Sequence, residues 1–465
     1  MAKVREHWGS RMGFVMAAAG SAIGLGNLWK FPYITWHNNG GAFVLVYLLS
    51  VLVVGLPIMM AEILIGKRAQ KSAVPAFVAI GHKRWSWIGI VGVLGGFVIL
   101  GYYAVIAGWS ISSFIECFNW SVSGYVAPPE GAFEAFEAFQ SDGATQLGLS
   151  AVFSVITLGV VWFGISGGIE RVTKILMPVL FLILIYFVAT SVTMNGFGEA
   201  MRFLFRPNFS ELPAAGALEA LGHAFFTLSL GMGLMITYGS YLTKSTSVTR
   251  VSAIVVVMDT VVALLACVIM FTIIYSTPGL SEQVGKSTVG MLFVTLPTLF
   301  YSGALPGGSI LGPLFYLLVG FAALTSTISL LEVMVSYFID SRGWSRAKAS
   351  LVCAAGTYVN TVFSALSLGA VGFLSTFSLI DGKHGVLDHL DYLASNWMLP
   401  IGGFGLALFV GWVLDKKVSL EELNMTDESG NPTIHYKLWR IFIRYVAPVA
   451  IAAVIIAVML GKDFS

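Results

Sequence analysis

Residues 20–32 read GSAIGLGNLWKFP, and they interrupt what is otherwise a membrane-length apolar segment beginning near Phe14. Gly20, Gly24 and Gly26 each weaken a helix, while the Asn27 carboxamide and the Lys30 cation are costly in hydrocarbon. Either the segment is not a plain span or it is broken for a purpose. Glycines of this kind also let helices pack closely, so GLG alone leaves both readings open. A second interruption, FFTLSLGMG at 225–233, sets Thr227 and Ser229 beside Gly231 and Gly233.

The surrounding chain is built for lipid. Of its 465 residues 57% are hydrophobic and only 11% charged, with mean hydropathy +0.84; a soluble domain carries about 25% charged residues. A net charge of +2 argues against a nucleic-acid partner. Cys117, Cys267 and Cys353 stand singly and read as small core residues, with neither a disulfide nor a metal site implied. The basic start MAKVREHWGSRMG is not followed by a short apolar core and a small-residue cleavage site, so no removable signal peptide is expected.

Apolar windows predict eleven spans, near 12–36, 41–65, 86–118, 147–164, 172–193, 216–241, 250–276, 310–339, 347–366, 391–414 and 438–461. A short segment hidden in 367–390 would change that count. Basic residues crowd one set of loops: Lys3, Arg5, Arg11, Lys67, Arg68, Lys71, Lys83, Arg84, Arg171, Lys174, Lys244, Arg250, Arg342, Arg346, Lys348, Lys416, Lys417 and Lys437. The other set holds only Arg202, Arg206, Lys286, Lys383 and Lys462. This bias places the N-terminus in the cytoplasm and, with an odd number of spans, the C-terminus outside. The long outer loops are 119–146 and 277–309; in the first, Phe133, Phe136 and Phe139 predict a short surface helix.

The two interruptions fall in the first and sixth spans. Two five-span halves, about 10–195 and 214–414, with an extra helix at about 438–461, would put them at corresponding places in one transmembrane unit. Paired breaks point to a midplane site in transporters built from inverted repeats. Unwound carbonyls can hold a cation, and a half-helix N-terminus presents N–H groups to an anion.

Five motifs then carry a resemblance over nearly the whole chain: REHW at 5–8, GLGNLWKFP at 24–32, NNGGAF at 38–43, FFTLSLGMG at 225–233 and ALTSTIS at 323–329. The sequence resembles the neurotransmitter:sodium symporters, in their prokaryotic amino-acid branch. The resemblance implies an all-α polytopic membrane protein with the LeuT-type 5+5 inverted repeat, and a sodium-coupled symporter for neutral hydrophobic amino acids in the prokaryotic plasma membrane. It implies two sodium sites. The first would use the carbonyl of Ala22, the Asn27 side chain, the carbonyl and hydroxyl of Thr227, and Asp259. The second would use the carbonyls of Gly20, Ile23 and Ala322 with the hydroxyls of Thr325 and Ser326. Neutral oxygens with at most one carboxylate suit a monovalent ion. Taken alone, the hydroxyls of LTSTIS would bond back to helix carbonyls. Asp259 stands where many members have Asn, and Ala263 where chloride-dependent members have Ser, so chloride is not expected to be required. His223 replaces another polar residue near that site, with its role open.

Gly24 stands where amine carriers of this family have Asp, leaving room for a substrate α-carboxylate near Leu25, Gly26 and the Tyr103 hydroxyl. The ammonium would use carbonyls near Ala22 and Phe226 and the Thr227–Ser229 segment; Ile99, Phe226, Met232, Ser326 and Leu330 would line the side-chain pocket. Such a lining disfavours charged substrates, and the Met232 thioether adapts to larger ones, although Met232 and Leu330 also read as ordinary core. Lys30 would pair with Asp391 as an outer gate; Arg5 would pair with Asp340 under Trp8 and Tyr241 as an inner one. Gly168 and Pro178 flank IERVTKILM, a stretch able to unwind at the cytoplasmic mouth of the fifth span. Glu62 and Glu332 are acids within spans whose partners the sequence does not show. A proton-coupled or exchanging carrier of the same fold is the alternative. A hydrolase lacks its motif: no HExxH or GxSxG with partners occurs at membrane depth, and no filter motif suggests a channel. Nothing in the sequence signals an oligomeric state.

Overall fold

The structure is a computed structural model and describes residues 5–126, 131–277, 288–301 and 307–464. Among these residues the architecture is helical throughout, with a lone bridge between Thr426 and Pro432. Among the described residues nine helices are long and apolar enough to cross a bilayer: Gly41–Ala69, Lys83–Ser123, Gly143–Trp162, Ile165–Val192, Val248–Ser276, Gly308–Arg342, Arg346–Leu366, Gly385–Val413 and Ile434–Met459. A tenth is the pair Arg11–Ala22 and Gly26–His37, bent by 51° at its break. The eleventh is also broken, as Ala214–Thr227 and Leu234–Gly239. In chain order the broken spans are the first and the sixth.

The breaks follow from local chemistry. At Ile23 the backbone leaves the helix for φ −73°, ψ 93°, and the freed N–H of Gly24 is taken by the Asn27 side-chain carbonyl at 3.0 Å. In the sixth span, Ser229, Gly231 and Gly233 all lie in the left-handed region, at φ 53°, 79° and 66°. No helix continues through three such residues in five. Ser229 alone carries a Cβ there, and its hydroxyl donates to the carbonyl of Ser21 at 3.0 Å. The two breaks therefore lean on each other.

The first span packs against the fifth, seventh and eighth, and the third span runs along the eighth with the fourth and ninth beside it. The second half of the sixth lies on the second. Together these form one continuous apolar core around the breaks.

Several boundaries differ from the sequence expectation. The tenth span starts at Gly385 rather than 391: the helix Gly385–Tyr392 carries Asp391 and runs on through a widened turn at Leu393–Met398 that carries Asn396. Between 367 and 384 lies only the short helix Gly372–Ser375, so that stretch adds no further span. The stretch 277–309, expected as a loop, contains the helix Thr288–Tyr301 with Phe293, Leu296 and Phe300 buried. That apolar run is too short to span a bilayer, so it gives no membrane-length window in the sequence. The surface helix with Phe133 is Ala132–Ser141. The IERVTKILM stretch is helical and runs on into the rest of the fifth span, with Pro178 inside the helix Glu170–Val192. Its Glu170 carboxylate accepts from the Gly9 N–H at 2.6 Å and the Ser10 hydroxyl at 2.9 Å. Lys3 and Lys286, counted in the charge bias, lie outside the described residues.

A Cβ at Gly231 would run into the carbonyl of Leu399 as well as face the left-handed backbone. Gly231→Ala should lower the unfolding free energy by about 1–3 kcal/mol, read as a lower thermal midpoint in detergent; an unchanged midpoint would show that the break tolerates a side chain.

Candidate functional site

Between the two breaks lies a cavity of about 30 Å³. Its walls include Ala22, Gly24, Gly26, Ile99, Tyr103, Phe226, Thr227, Ser229, Met232, Ser326 and Leu330. Of the residues expected around a substrate, Leu25 alone is not in that wall; its N–H donates to the Tyr103 hydroxyl at 3.0 Å. Ser21 and Ser329, not expected from the sequence, complete the lining and share a hydrogen bond of 2.9 Å. Gly24 is bare for a reason visible here. A Cβ on it would stand 2.8 Å from the Ser326 hydroxyl and 2.9 Å from that of Tyr103.

Beside the cavity, Asp259 is fully buried. Its carboxylate accepts from the Asn27 amide at 2.7 Å and from the Thr227 hydroxyl at 3.0 Å. Among the described residues no lysine, arginine or histidine lies within ion-pair reach of it. Isolated anionic charge at this depth is strongly unfavourable unless a cation shares it. Three of the four residues expected at a first ion site thus meet through their own hydrogen bonds, with Ala22 in the adjoining cavity wall.

The second set is arranged differently. Gly20 is pressed against Thr325, so close that a Cβ would stand 3.0 Å from that residue's own Cβ. The Thr325 hydroxyl bonds back to the carbonyls of Phe321 at 3.2 Å and Ala322 at 3.1 Å, and Ser326 donates to Ser21 at 3.3 Å. Ile23, whose carbonyl was expected there, marks the point where the helix opens. All the donors are oxygens, a set suited to a hard monovalent ion.

At one end the chain is sealed. Arg5 pairs with both oxygens of Asp340, at 2.7 and 2.8 Å, and its guanidinium lies 4.8 Å from the centre of the Tyr241 ring. The Trp8 ring meets Tyr241 edge-on and donates its indole N–H to the carbonyl of Tyr238 at 3.0 Å. At the other end, Lys30 and Asp391 face a common cavity of about 220 Å³ without pairing. Asp391 accepts from the Tyr102 hydroxyl at 2.7 Å and from Ser395 at 2.9 Å, while Lys30 donates to the carbonyl of Phe464 at 3.2 Å.

The acids left without partners by the sequence find them here. Glu62 accepts from the N–H of Gly231 at 2.8 Å and so holds the sixth-span break. Glu332 is fully buried, bonded to Tyr241 at 2.7 Å and to Arg346 at 2.8 Å; Arg346 in turn reaches Glu6 at 3.0 Å. This chain of charges lies beside the Arg5–Asp340 pair and has no sequence motif, because its members are 326 residues apart along the chain from Glu6 to Glu332. His223 is buried among Phe31, Tyr47 and Phe226, with neither ring nitrogen bonded among the described residues.

Two broken helices meeting at a small buried site of oxygen donors, with a charged closure on one side, define a multi-pass membrane transporter rather than an enzyme. Comparison with known proteins gives the family. The model of the sodium:neurotransmitter symporter family matches residues 5–125 and 130–463, and the chain belongs to that family. It is 35% identical over 448 residues to the uncharacterized sodium-dependent transporter YhdH of Bacillus subtilis (strain 168), covering 96% of each chain. An uncharacterized sodium-dependent transporter of Haemophilus influenzae is 31% identical over 469 residues, covering 98% of each. Among solved structures, that of MhsT in complex with L-phenylalanine superposes with a TM-score of 0.87 at 40% identity, over 97% of this chain and 99% of the other.

Removing one partner of a buried ion pair strands the other. Glu332→Ala should lower stability by about 3–5 kcal/mol, and the pair change Glu332→Leu with Arg346→Met should lose less. Denaturant titration of the purified protein separates the two; equal losses would show that the pair itself is stabilising.

Proposed function

We propose that this protein is a sodium-coupled symporter that imports neutral hydrophobic L-amino acids, aliphatic or aromatic, by alternating access. The observation that carries the proposal is Asp259, a buried carboxylate with only neutral partners among the described residues, beside a cavity whose walls are apolar or hydroxylic. A sodium ion among Asp259, Asn27, Thr227 and the Ala22 carbonyl would balance that charge. A second would sit with Thr325, Ser326 and the carbonyls of Gly20, Ile23 and Ala322. Asp259 beside Ala263 supplies a fixed negative charge, which supports transport without chloride.

The substrate carboxylate would enter the space that Gly24 leaves open, facing Tyr103 and the first sodium ion. Each ligand then strengthens the other's binding, which is the physical content of coupling. Its side chain would lie against Ile99, Phe226, Met232 and Leu330, where a charged group would be left unpaired. The phenylalanine bound in the MhsT structure supports this class of substrate. Arg5–Asp340 closed and Lys30 apart from Asp391 correspond to a form reached from the outer side. In the full cycle Lys30–Asp391 closes and Arg5–Asp340 opens, while the stretch between Gly168 and Pro178 unwinds. The two repeats, about 10–195 and 214–414, are the units that rock, with the N-terminus in the cytoplasm of a prokaryotic cell.

Radiolabelled leucine and phenylalanine uptake into proteoliposomes tests this. Uptake should follow an inward sodium gradient, collapse when potassium replaces sodium, and be blocked by apolar but not acidic amino acids. Uptake driven by a proton gradient regardless of sodium would replace the proposal with proton coupling. Gly24→Asp should weaken amino-acid binding by about tenfold or more, since its side chain fills the carboxylate's place; equal affinity would overturn the assignment of Gly24.

A further inference from the structure

Lys30 does not reach Asp391, and what it does reach lies at the far end of the chain. Its ammonium donates to the carbonyl of Phe464 at 3.2 Å and rests 5.0 Å from the centre of the Phe226 ring, over the substrate cavity. The segment that supplies this carbonyl is anchored at several points. Asn396, fully buried in the tenth span, spends both ends of its amide on it. The Asn396 amide nitrogen donates to Asp463 at 2.9 Å, and its oxygen accepts from the N–H of Phe464 at 2.8 Å. The second oxygen of Asp463 pairs with Lys383 at 2.6 Å, on the loop before the tenth span. Phe464 itself packs over Gly222 of the sixth span, where an added Cβ would stand 3.7 Å from the Phe464 Cβ.

Such a segment touches the first, sixth and tenth spans at the mouth of one vestibule. A free surface tail would not occupy the whole amide of a buried asparagine, because burying that group unbonded is unfavourable. Asp391 has meanwhile satisfied its carboxylate with Tyr102 and Ser395. Lysine is a compact point charge that can be handed between acceptors without realigning a planar fork. The Phe464 carbonyl and the Asp391 carboxylate are therefore competing acceptors for one ammonium group.

We propose that residues 462–464 form a strap that positions Lys30 against Phe464 and away from Asp391, holding the vestibule accessible until the gate closes. This rests on reading Lys30 and Asp391 as the outer gate. The strap is a positioning element: it acts only through Lys30.

The test uses the rate at which a charged thiol reagent labels Leu387→Cys in the purified 465-residue chain in sodium buffer. Leu387 lines the vestibule, and Cys117, Cys267 and Cys353 are buried, so the parent protein reports the background. Truncation after Gly461, or Asn396→Ala in the intact chain, should slow labelling by about threefold or more, because freed Lys30 moves to Asp391. Adding Lys30→Met should erase that difference. Unchanged or faster labelling on strap loss would overturn the proposal, as would a slowing that persists with Lys30→Met. Because labelling needs no substrate, it stands apart from the uptake assay. A wild-type protein that fails to transport amino acids but shows this labelling pattern would refute the functional proposal and leave the strap.

Discussion

Backbone groups inside a bilayer have no water to turn to, so a helix opened at mid-depth survives only if protein atoms satisfy what it frees. Here each break is satisfied chiefly by the other and by its immediate neighbours. The carbonyl of Ser21 takes the hydroxyls of Ser229 and Ser326, Asn27 caps Gly24, and Glu62 takes the N–H of Gly231. The first, second, sixth and eighth spans are tied at one level by these bonds. Everything functional is built on that tie, because it keeps polar groups facing a cavity at a depth where lipid would otherwise expel them.

Around that tie the charges are distributed unequally. The Arg5 end carries two closures, Arg5–Asp340 and the run from the exposed Glu6 through Arg346 to the buried Glu332. The Lys30 end carries separate acceptors, with Lys30 on Phe464 and Asp391 on neutral hydroxyls. Both pairs are largely shielded, with side-chain exposures of 17% and 8% for Arg5–Asp340 and 15% and 0% for Arg346–Glu332, so opening either in place would strand charge in a dry interior. In the proposed cycle the closure at the Arg5 end must therefore let water in as it opens, and Glu170, which holds Gly9 and Ser10 to the fifth span, lies where that opening would begin.

The spans themselves were plain in the sequence, because each needs about 20 apolar residues and little else in a protein looks like that. So were the two breaks, since glycine beside Asn27 or Ser229 makes no sense in a simple span. Asp259, Asn27 and Thr227 were legible as a group through the family resemblance, and the geometry brings both Asn27 and Thr227 within hydrogen-bond distance of Asp259. The helix Thr288–Tyr301 was not legible, being too short for a span and too apolar for a loop. Nor was the partner of Glu332. A charge in a span announces that it needs an opposite charge but not where the chain will place it.

By itself, then, the sequence determined the membrane class, the order of spans, the two interruptions and the residue types available for an ion and a neutral ligand. These are local properties, set by hydropathy and by what glycine allows. Which groups meet was decided by the tertiary structure alone. Lys30 could have been offered Asp391 or any other acceptor at its level, and packing of Phe464 over Gly222 brought a backbone carbonyl there instead. Pairing across hundreds of residues depends on how helices tilt and cross, and no periodicity along the chain records that.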